Sequence, residues 1–218
     1  MKLKAVIFDM DGVILDSERL FLDCWEEVVN KYELDRNVLE NYKKCIGTTA
    51  QKTREIMTTG ALIDFDYDHY EDIVMGVFMD YARNNTLPVK AGARELLDEI
   101  KAKGIKLALA SSTKGHVIKW ELGDLGLYDI FDIVVSGDML KRSKPAPDIY
   151  LKAIEELGIS PEKGVAIEDS YNGVASAHDA GLKVIMVPDL LEATDEIRDK
   201  CECIKDSLTD LLGFFDKE

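Results

Sequence analysis

The spacing of apolar positions gives the chain two textures. It begins with a strand-length apolar run, Leu3-Lys4-Ala5-Val6-Ile7-Phe8, of the kind buried on both faces of a parallel sheet. Over 17–32 the apolar residues Leu20, Phe21, Cys24, Trp25, Val28 and Val29 recur at helical spacing and predict a helix with one broad buried stripe. Val38, Leu39, Tyr42 and Cys45 predict a second, short helix. Gly47-Thr48-Thr49 breaks it, with Thr49 placed to cap a third helix that ends near Gly60. Tyr70, Ile73, Val74, Val77, Phe78 and Tyr81 predict a fourth. Four helices in a row describe a small bundle inserted after the first strand.

Beyond Pro88 helices and strands alternate. The pattern predicts helices over 92–103, around 117–122, from Pro145-Ala146-Pro147 to Leu157, and up to Ala180. Gly104 closes the first of them at the position where helices favour a left-handed residue, Gly158 caps the third, and Gly181 leads from the last to the next strand. Strands are predicted at 105–110, 133–135, 165–167 and 184–187, the last stopped by Pro188. Such alternation implies an α/β fold, a doubly wound parallel Rossmann-like sheet. The expected division is a core of residues 1–16 and 87–218 and a helical cap domain of 17–86. Two linkers at strand exits would join them, which suits a lid over the crevice.

Composition narrows the partners. The 218 residues carry 27 Lys and Arg against 42 Asp and Glu, a formal net charge of -15. That disfavours nucleic acid and anionic membranes, so neither is an expected partner. An anionic substrate would need a locally positive site, from a metal or a few placed lysines. No apolar run approaches a membrane span, and Met-Lys-Leu-Lys leads straight into a strand rather than a signal peptide. Cys24 and Cys45 fall on apolar helix positions and read as buried small hydrophobes. Cys201-Glu202-Cys203 has no second ligand pair at a zinc-like spacing. A monomeric cytoplasmic protein with reduced thiols is expected.

Candidate chemistry gathers at the strand ends. Asp9 and Asp11 follow the first strand at i, i+2, which points both side chains the same way on an extended backbone. Gly12 then lets the chain turn. In isolation Asp-x-Asp-Gly reads equally well as an ordinary turn. As a calcium loop it fails, because Val13 stands where a third ligand is needed. The strands at 105–110 and 165–167 also end in polar clusters, Ser111-Ser112-Thr113-Lys114 and Glu168-Asp169-Ser170. Lys144 precedes Pro145 in a loop that leads to a helix. In a parallel sheet these ends face one crevice. Three or four carboxylates, a hydroxyl and an ammonium suit a hard divalent cation with an anionic ligand. Magnesium is usually held by one or two carboxylates, with substrate phosphate completing its shell.

Asp9-Met10-Asp11-Gly12-Val13, Ser111, Lys144-Pro145 and Glu168-Asp169-Ser170, in this order across essentially the whole chain, resemble the four motifs of the haloacid dehalogenase superfamily. The helical insert resembles the cap of its β-phosphoglucomutase-like phosphatase subfamily. The resemblance implies that Asp9 is a nucleophile forming an aspartyl-phosphate. A carboxylate of ordinary pKa, about 3.9, needs no base for that at neutral pH. Asp11 would be the general acid and base, its pKa raised by crowding among carboxylates. Asp9, the Asp11 backbone carbonyl and Asp169 would hold Mg2+, with Glu168 nearby and acting through water. Ser111, Ser112 and Lys144 would bind the transferring phosphoryl group. Gly47, Thr48, Thr49 and Gln51 in the cap, with Thr113 and Lys114, would contact the rest of the substrate. Similar hydrolytic dehalogenases, and the related phosphonate-cleaving enzymes, lack the second aspartate that this chain keeps.

The resembling mutases carry an arginine about two residues after the turn at Gly47-Thr48, and a histidine on the first cap helix. Here no arginine occurs before Arg54, and Phe21 holds the histidine position. A lysine at 52 does not replace a bidentate phosphate clamp. The expectation is a Mg2+-dependent phosphatase acting on a small phosphorylated sugar or related metabolite. A sugar phosphomutase is the alternative, and a non-catalytic Mg2+-dependent binding module stands behind both. His69, His116 and His178 read as surface or packed residues, Trp25 and Trp120 as packing, and the stretch 173–177 as a close-packed helix start.

Overall fold

The structure is a computed structural model that describes residues 2–46 and 50–216, without the side chains at 50, 51, 61 and 216. The opening apolar run forms β1 (Ala5–Phe8), all four residues buried. It lies at the centre of a parallel sheet between β2 (Lys106–Ser111) and β4 (Gly164–Glu168). β3 (Ile133–Ser136) continues the sheet beyond β2, while β5 (Lys183–Met186) and β6 (Cys203–Ile204) continue it beyond β4. The order β3-β2-β1-β4-β5-β6 makes a doubly wound sheet that reverses direction at β1, and ligands bind at such switch points. Phe8 lies level with both Leu109 and Ile167, so β4 runs one residue and β2 two residues beyond the end of β1.

Side-chain alternation along the strands feeds two cores. Val6, Phe8, Leu107, Leu109 and Ile167 pack on one face with α5 (Ala93–Ala102) and α6 (Gly115–Asp124). Ala5, Ile7, Ala108, Ala110 and Ala166 pack on the other with α7 (Asp148–Leu157) and α8 (Tyr171–Asp179). The small residues on that second face let the helices approach the sheet closely.

Between β1 and β2 the chain inserts α1 (Ser17–Lys31), α2 (Asn37–Lys43), α3 (Ala50–Met57) and α4 (Tyr67–Asn84). Trp25, fully buried, is their hub, with its ring stacked on Tyr67 and tilted against Tyr42 and Phe65. Cys24 and Cys45 are buried, as apolar periodicity predicts. The two linkers run side by side: Leu15 bridges to Val89, and the amides of Asp16 and Lys90 donate to the carbonyls of Pro88 and Ile14 at 2.9 Å. Lys90 also reaches Asp189 at 2.6 Å, and Arg19 on α1 reaches the same carboxylate at 3.2 Å.

Several boundaries differ from the sequence pattern. The third helix stops at Met57, and Gly60 opens a separate 3-10 turn, Gly60–Leu62. The predicted Thr49 cap lies outside the described residues. The fourth helix begins earlier, at Tyr67, because the Asp66 side chain accepts from the His69 amide. β6 and the short α9 (Asp195–Arg198) have no counterpart in the expected elements, since two and four residues are too few to show a period.

Candidate active site

Asp9 leaves the end of β1 still paired to β4, its amide donating to the Ile167 carbonyl at 3.0 Å. Glu168 ends β4 and Asp169 follows it; both are buried, as is Asp9. Oxygens from these three carboxylates lie within 4.8 Å of one another. Lys144 enters from the loop before α7, and its Nζ donates to Asp9 Oδ1 (2.8 Å), Glu168 Oε1 (2.6 Å) and the Ala110 carbonyl (3.0 Å). Every ammonium hydrogen is therefore engaged. Burial works against the charged ammonium, but Asp9 and Glu168 outweigh it and hold Lys144 above the ordinary lysine range.

Glu168 is enclosed by donors. Tyr150 on α7 donates its hydroxyl to Oε1 at 2.7 Å. Oε2 accepts from the amides of Asp169 (3.2 Å) and Ser170 (3.4 Å) and from Ser170 Oγ (3.2 Å). Both Glu168 oxygens are thus engaged, and Oε1 anchors Lys144. Ser170 also caps α8 by accepting from the Gly173 amide. A Cβ at Gly173 would lie 2.0 Å from the Glu168 carboxylate. The close-packed helix start read from the sequence is thus a wall of the site.

Asp169 accepts no hydrogen bond among the described residues, and its carboxylate lies against Gly12. Gly12 has φ +79, and a Cβ there would sit 2.3 Å from Asp169 Oδ2. Burial, then Glu168 and Asp9, push the Asp169 carboxyl well up. Burial likewise pushes Asp9 up to about 8; Lys144 opposes this, while Glu168 and Asp11 add to it. The sequence expects an ordinary, already ionised nucleophile at Asp9; in this buried setting, desolvation works against its charge and Lys144 works for it. Three carboxylates against one ammonium leave surplus negative charge, which a divalent cation would match. The donor set is hard oxygen, as Mg2+ requires. Among the described residues, Asp9, Glu168 and Asp169 are the carboxylates close enough together to hold such an ion.

The Asp11 carboxylate turns away from this cluster. It accepts from Ser17 Oγ (2.7 Å), Thr113 Oγ1 (2.9 Å) and Ser111 Oγ (3.4 Å). Hydroxyls, rather than crowding carboxylates, are its hydrogen-bond partners. Ser111 is fully buried and also accepts from the Thr113 amide at 3.1 Å. Thr113, expected at the far end of a substrate, stands beside Asp11.

These groups open into a cavity of about 870 Å³ between the sheet and the helical insert. Asp9, Asp11, Ser112, Thr113, Lys114, Lys144 and Asp169 line it from the sheet side, whereas Ser111 does not reach it. Phe21, Tyr42, Met75, Phe78 and Met79 line it from α1, α2 and α4. Trp120, read from the sequence as packing, and His116 belong to the same wall. Gly47, Thr48 and Thr49, and the side chain of Gln51, lie outside the described residues. Sequence reasoning missed Tyr150, Ser17 and Glu121. Only Tyr150 carried a signal, as a hydroxyl on the apolar face of a helix, where a buried tyrosine needs a partner.

A model of the haloacid dehalogenase-like hydrolases matches residues 6–187. The chain belongs to that family. Within it the chain groups with phosphoric monoester hydrolases. It is 35% identical over 188 residues to the phosphorylated carbohydrates phosphatase of Thermotoga maritima, covering 84% of each chain. To hexitol phosphatase B of Escherichia coli it is 31% identical over 198 residues, covering 84% of this chain and 83% of that one. Among solved structures, CbbY from Rhodobacter sphaeroides in complex with xylulose-(1,5)bisphosphate matches with a TM-score of 0.74 and 28% identity, over 96% of each chain. No helix among the described residues is long and apolar enough to cross a membrane.

Proposed function

We propose that this haloacid dehalogenase-like hydrolase is a Mg2+-dependent phosphatase of small phosphorylated sugars or related metabolites, working through an aspartyl-phosphate on Asp9. The observation that carries it is the buried triad of Asp9, Asp169 and Lys144 beside a hydroxyl-held Asp11, all opening into one cavity. Relatives named as sugar phosphatases support the substrate class.

Asp9 attacks phosphorus while the bond to the substrate oxygen breaks, and Asp11 hands its proton to that leaving oxygen. Asp11 then takes a proton from water, which attacks the aspartyl-phosphate and frees both phosphate and Asp9. Ser17 and Thr113 fix the Asp11 carboxylate for both transfers. Lys144 steadies charge developing on the phosphoryl oxygens. Bound Mg2+, held by Asp9, Asp169 and the Asp11 backbone carbonyl, would ionise the buried carboxylates and polarise the phosphoryl group. Residues 17–86 act as a lid hinged at the paired linkers.

The mutase alternative needs a cap cation for a second phosphate. Arg54 pairs with Asp68 and Lys52 with Glu55, and neither lines the cavity. Phe21 occupies the cavity wall instead of a histidine. A panel of sugar phosphates assayed for phosphate release with and without Mg2+ tests the reading. Metal-dependent release supports it, whereas isomerisation without net release would make the chain a mutase.

A further inference from the structure

Glu121 is the buried acid that the proposed mechanism leaves unused. It sits on α6 with 6% of its surface exposed, and its Oε2 is enclosed without a hydrogen-bond partner. Almost all buried polar groups are paired, so an orphaned carboxyl oxygen on a residue that lines a cavity calls for a partner. Glu121 lines the same cavity as Asp9 and Asp11. Its neighbour Trp120 presents an indole to that cavity, and Phe78 and Met79 face it from α4. Trp120 and Glu121 also border a second, smaller hollow of about 320 Å³, so they form the partition between the two.

We propose that Glu121 determines substrate specificity: its carboxyl group pairs with a hydroxyl on the body of the substrate and selects polyhydroxylated phosphomonoesters. This rests on the phosphatase reading and extends it from the phosphoryl end to the leaving group. Burial, with a smaller contribution from Asp11, pushes the Glu121 carboxyl up to about 8. A carboxyl that keeps its proton both donates and accepts, which matches a hydroxyl, a group that also does both. A cationic partner would instead require the ionised form that this apolar wall disfavours. Glu121 and Asp11 line the same cavity. An apolar surface with one convergent polar group is the usual design of a small-molecule subsite.

The test compares a hexitol phosphate with phenyl phosphate, which has no hydroxylated body, in wild type, Glu121→Gln and Glu121→Leu. The ratio of kcat/KM for the hexitol phosphate over phenyl phosphate should fall about 10- to 100-fold in Glu121→Leu. Glu121→Gln should retain most of it, because an amide also donates and accepts. Thermal unfolding of Glu121→Leu should not fall, since leucine removes an unpaired buried polar group. An unchanged ratio would overturn the proposal. So would a loss of Tm in Glu121→Leu matched by equal losses on both substrates, which would make the residue structural. Hexitol phosphate binding is also measured by calorimetry in an Asp9→Asn background, with and without Glu121→Leu. Binding that weakens 10- to 100-fold with Glu121→Leu supports the proposal even if no substrate is turned over, a result that would count against the phosphatase alone. No binding, or binding indifferent to residue 121, overturns it.

Discussion

Tyr150 donates its hydroxyl to the Glu168 oxygen that also receives Lys144, at 2.7 Å in a fully buried setting. It thereby shares the work of holding a carboxylate that in turn holds the lysine. Tyr150→Phe removes one donor without changing the ring. It should destabilise the protein by about 1–3 kcal/mol, read from chemical denaturation. kcat should fall by less than in any Lys144 variant.

Lys144 is the sole cation within hydrogen-bond reach of Asp9 and Glu168 among the described residues. Lys144→Met leaves buried carboxylates without their counter-charge, a loss of about 3–5 kcal/mol. Turnover should drop by about 10²–10³-fold in kcat. Lys144→Arg should restore neither, because a planar fork does not fit three donors arranged around one point. Retained turnover in Lys144→Met would rule out its phosphoryl role.

Gly12 and Asp169 constrain each other. Gly12→Ala adds a methyl where φ is +79 and the Asp169 carboxylate already lies 2.3 Å from the new Cβ. The cost in strain is about 1–3 kcal/mol, and Asp169 must shift. The Mg2+ concentration for half-maximal activity should therefore rise at least about tenfold. A titration with an unchanged midpoint would show that Asp169 does not hold the metal.

The protonation of the cluster links stability to pH. Folding raises Asp9 from 3.8 to about 8 and moves Asp169 the same way. The native state thus binds more protons than the unfolded chain between about pH 4 and 8. Without metal, stability should be highest at the acid end of that window and decline as pH rises through it. Glu121, raised to about 8, and Glu18, raised to about 7, have the same sign. Bound Mg2+ favours the ionised forms of Asp9 and Asp169. The gain in Tm on adding Mg2+ should therefore be larger at pH 8 than at pH 5. Equal gains would separate the metal from these two carboxylates.

What could be read from the sequence follows from range. β1, β2, β4 and β5 show as apolar runs, and their polar terminators Asp9, Ser111 and Glu168 come together because the sheet is parallel and in register. Lys144 could be picked out by its place beside Pro145, but its three partners could not. Tyr150 and Glu121 sit at helical spacing among packing residues; the Tyr150 hydroxyl signals a need for a partner, but only the tertiary fold shows that the partner is Glu168 and that Glu121 Oε2 has none among the described residues. Trp120 illustrates the same limit: an indole on α6 reads as core until the insert leaves a cavity beside it. The hydroxyl cage around Asp11 joins residues from α1 and the end of β2, which no local pattern relates.

The most direct test is to trap the phosphoenzyme. Asp11→Asn retains the nucleophile but can neither protonate the leaving oxygen nor deliver water to the intermediate, so the substrate must carry a leaving group that departs without a proton. Rapid acid quench with p-nitrophenyl phosphate labelled at phosphorus, in the presence of Mg2+, should leave label on Asp9, located by peptide mass. Asp9→Asn should carry none and release no phosphate. Label on another residue, or phosphate release that survives Asp9→Asn, would contradict the account.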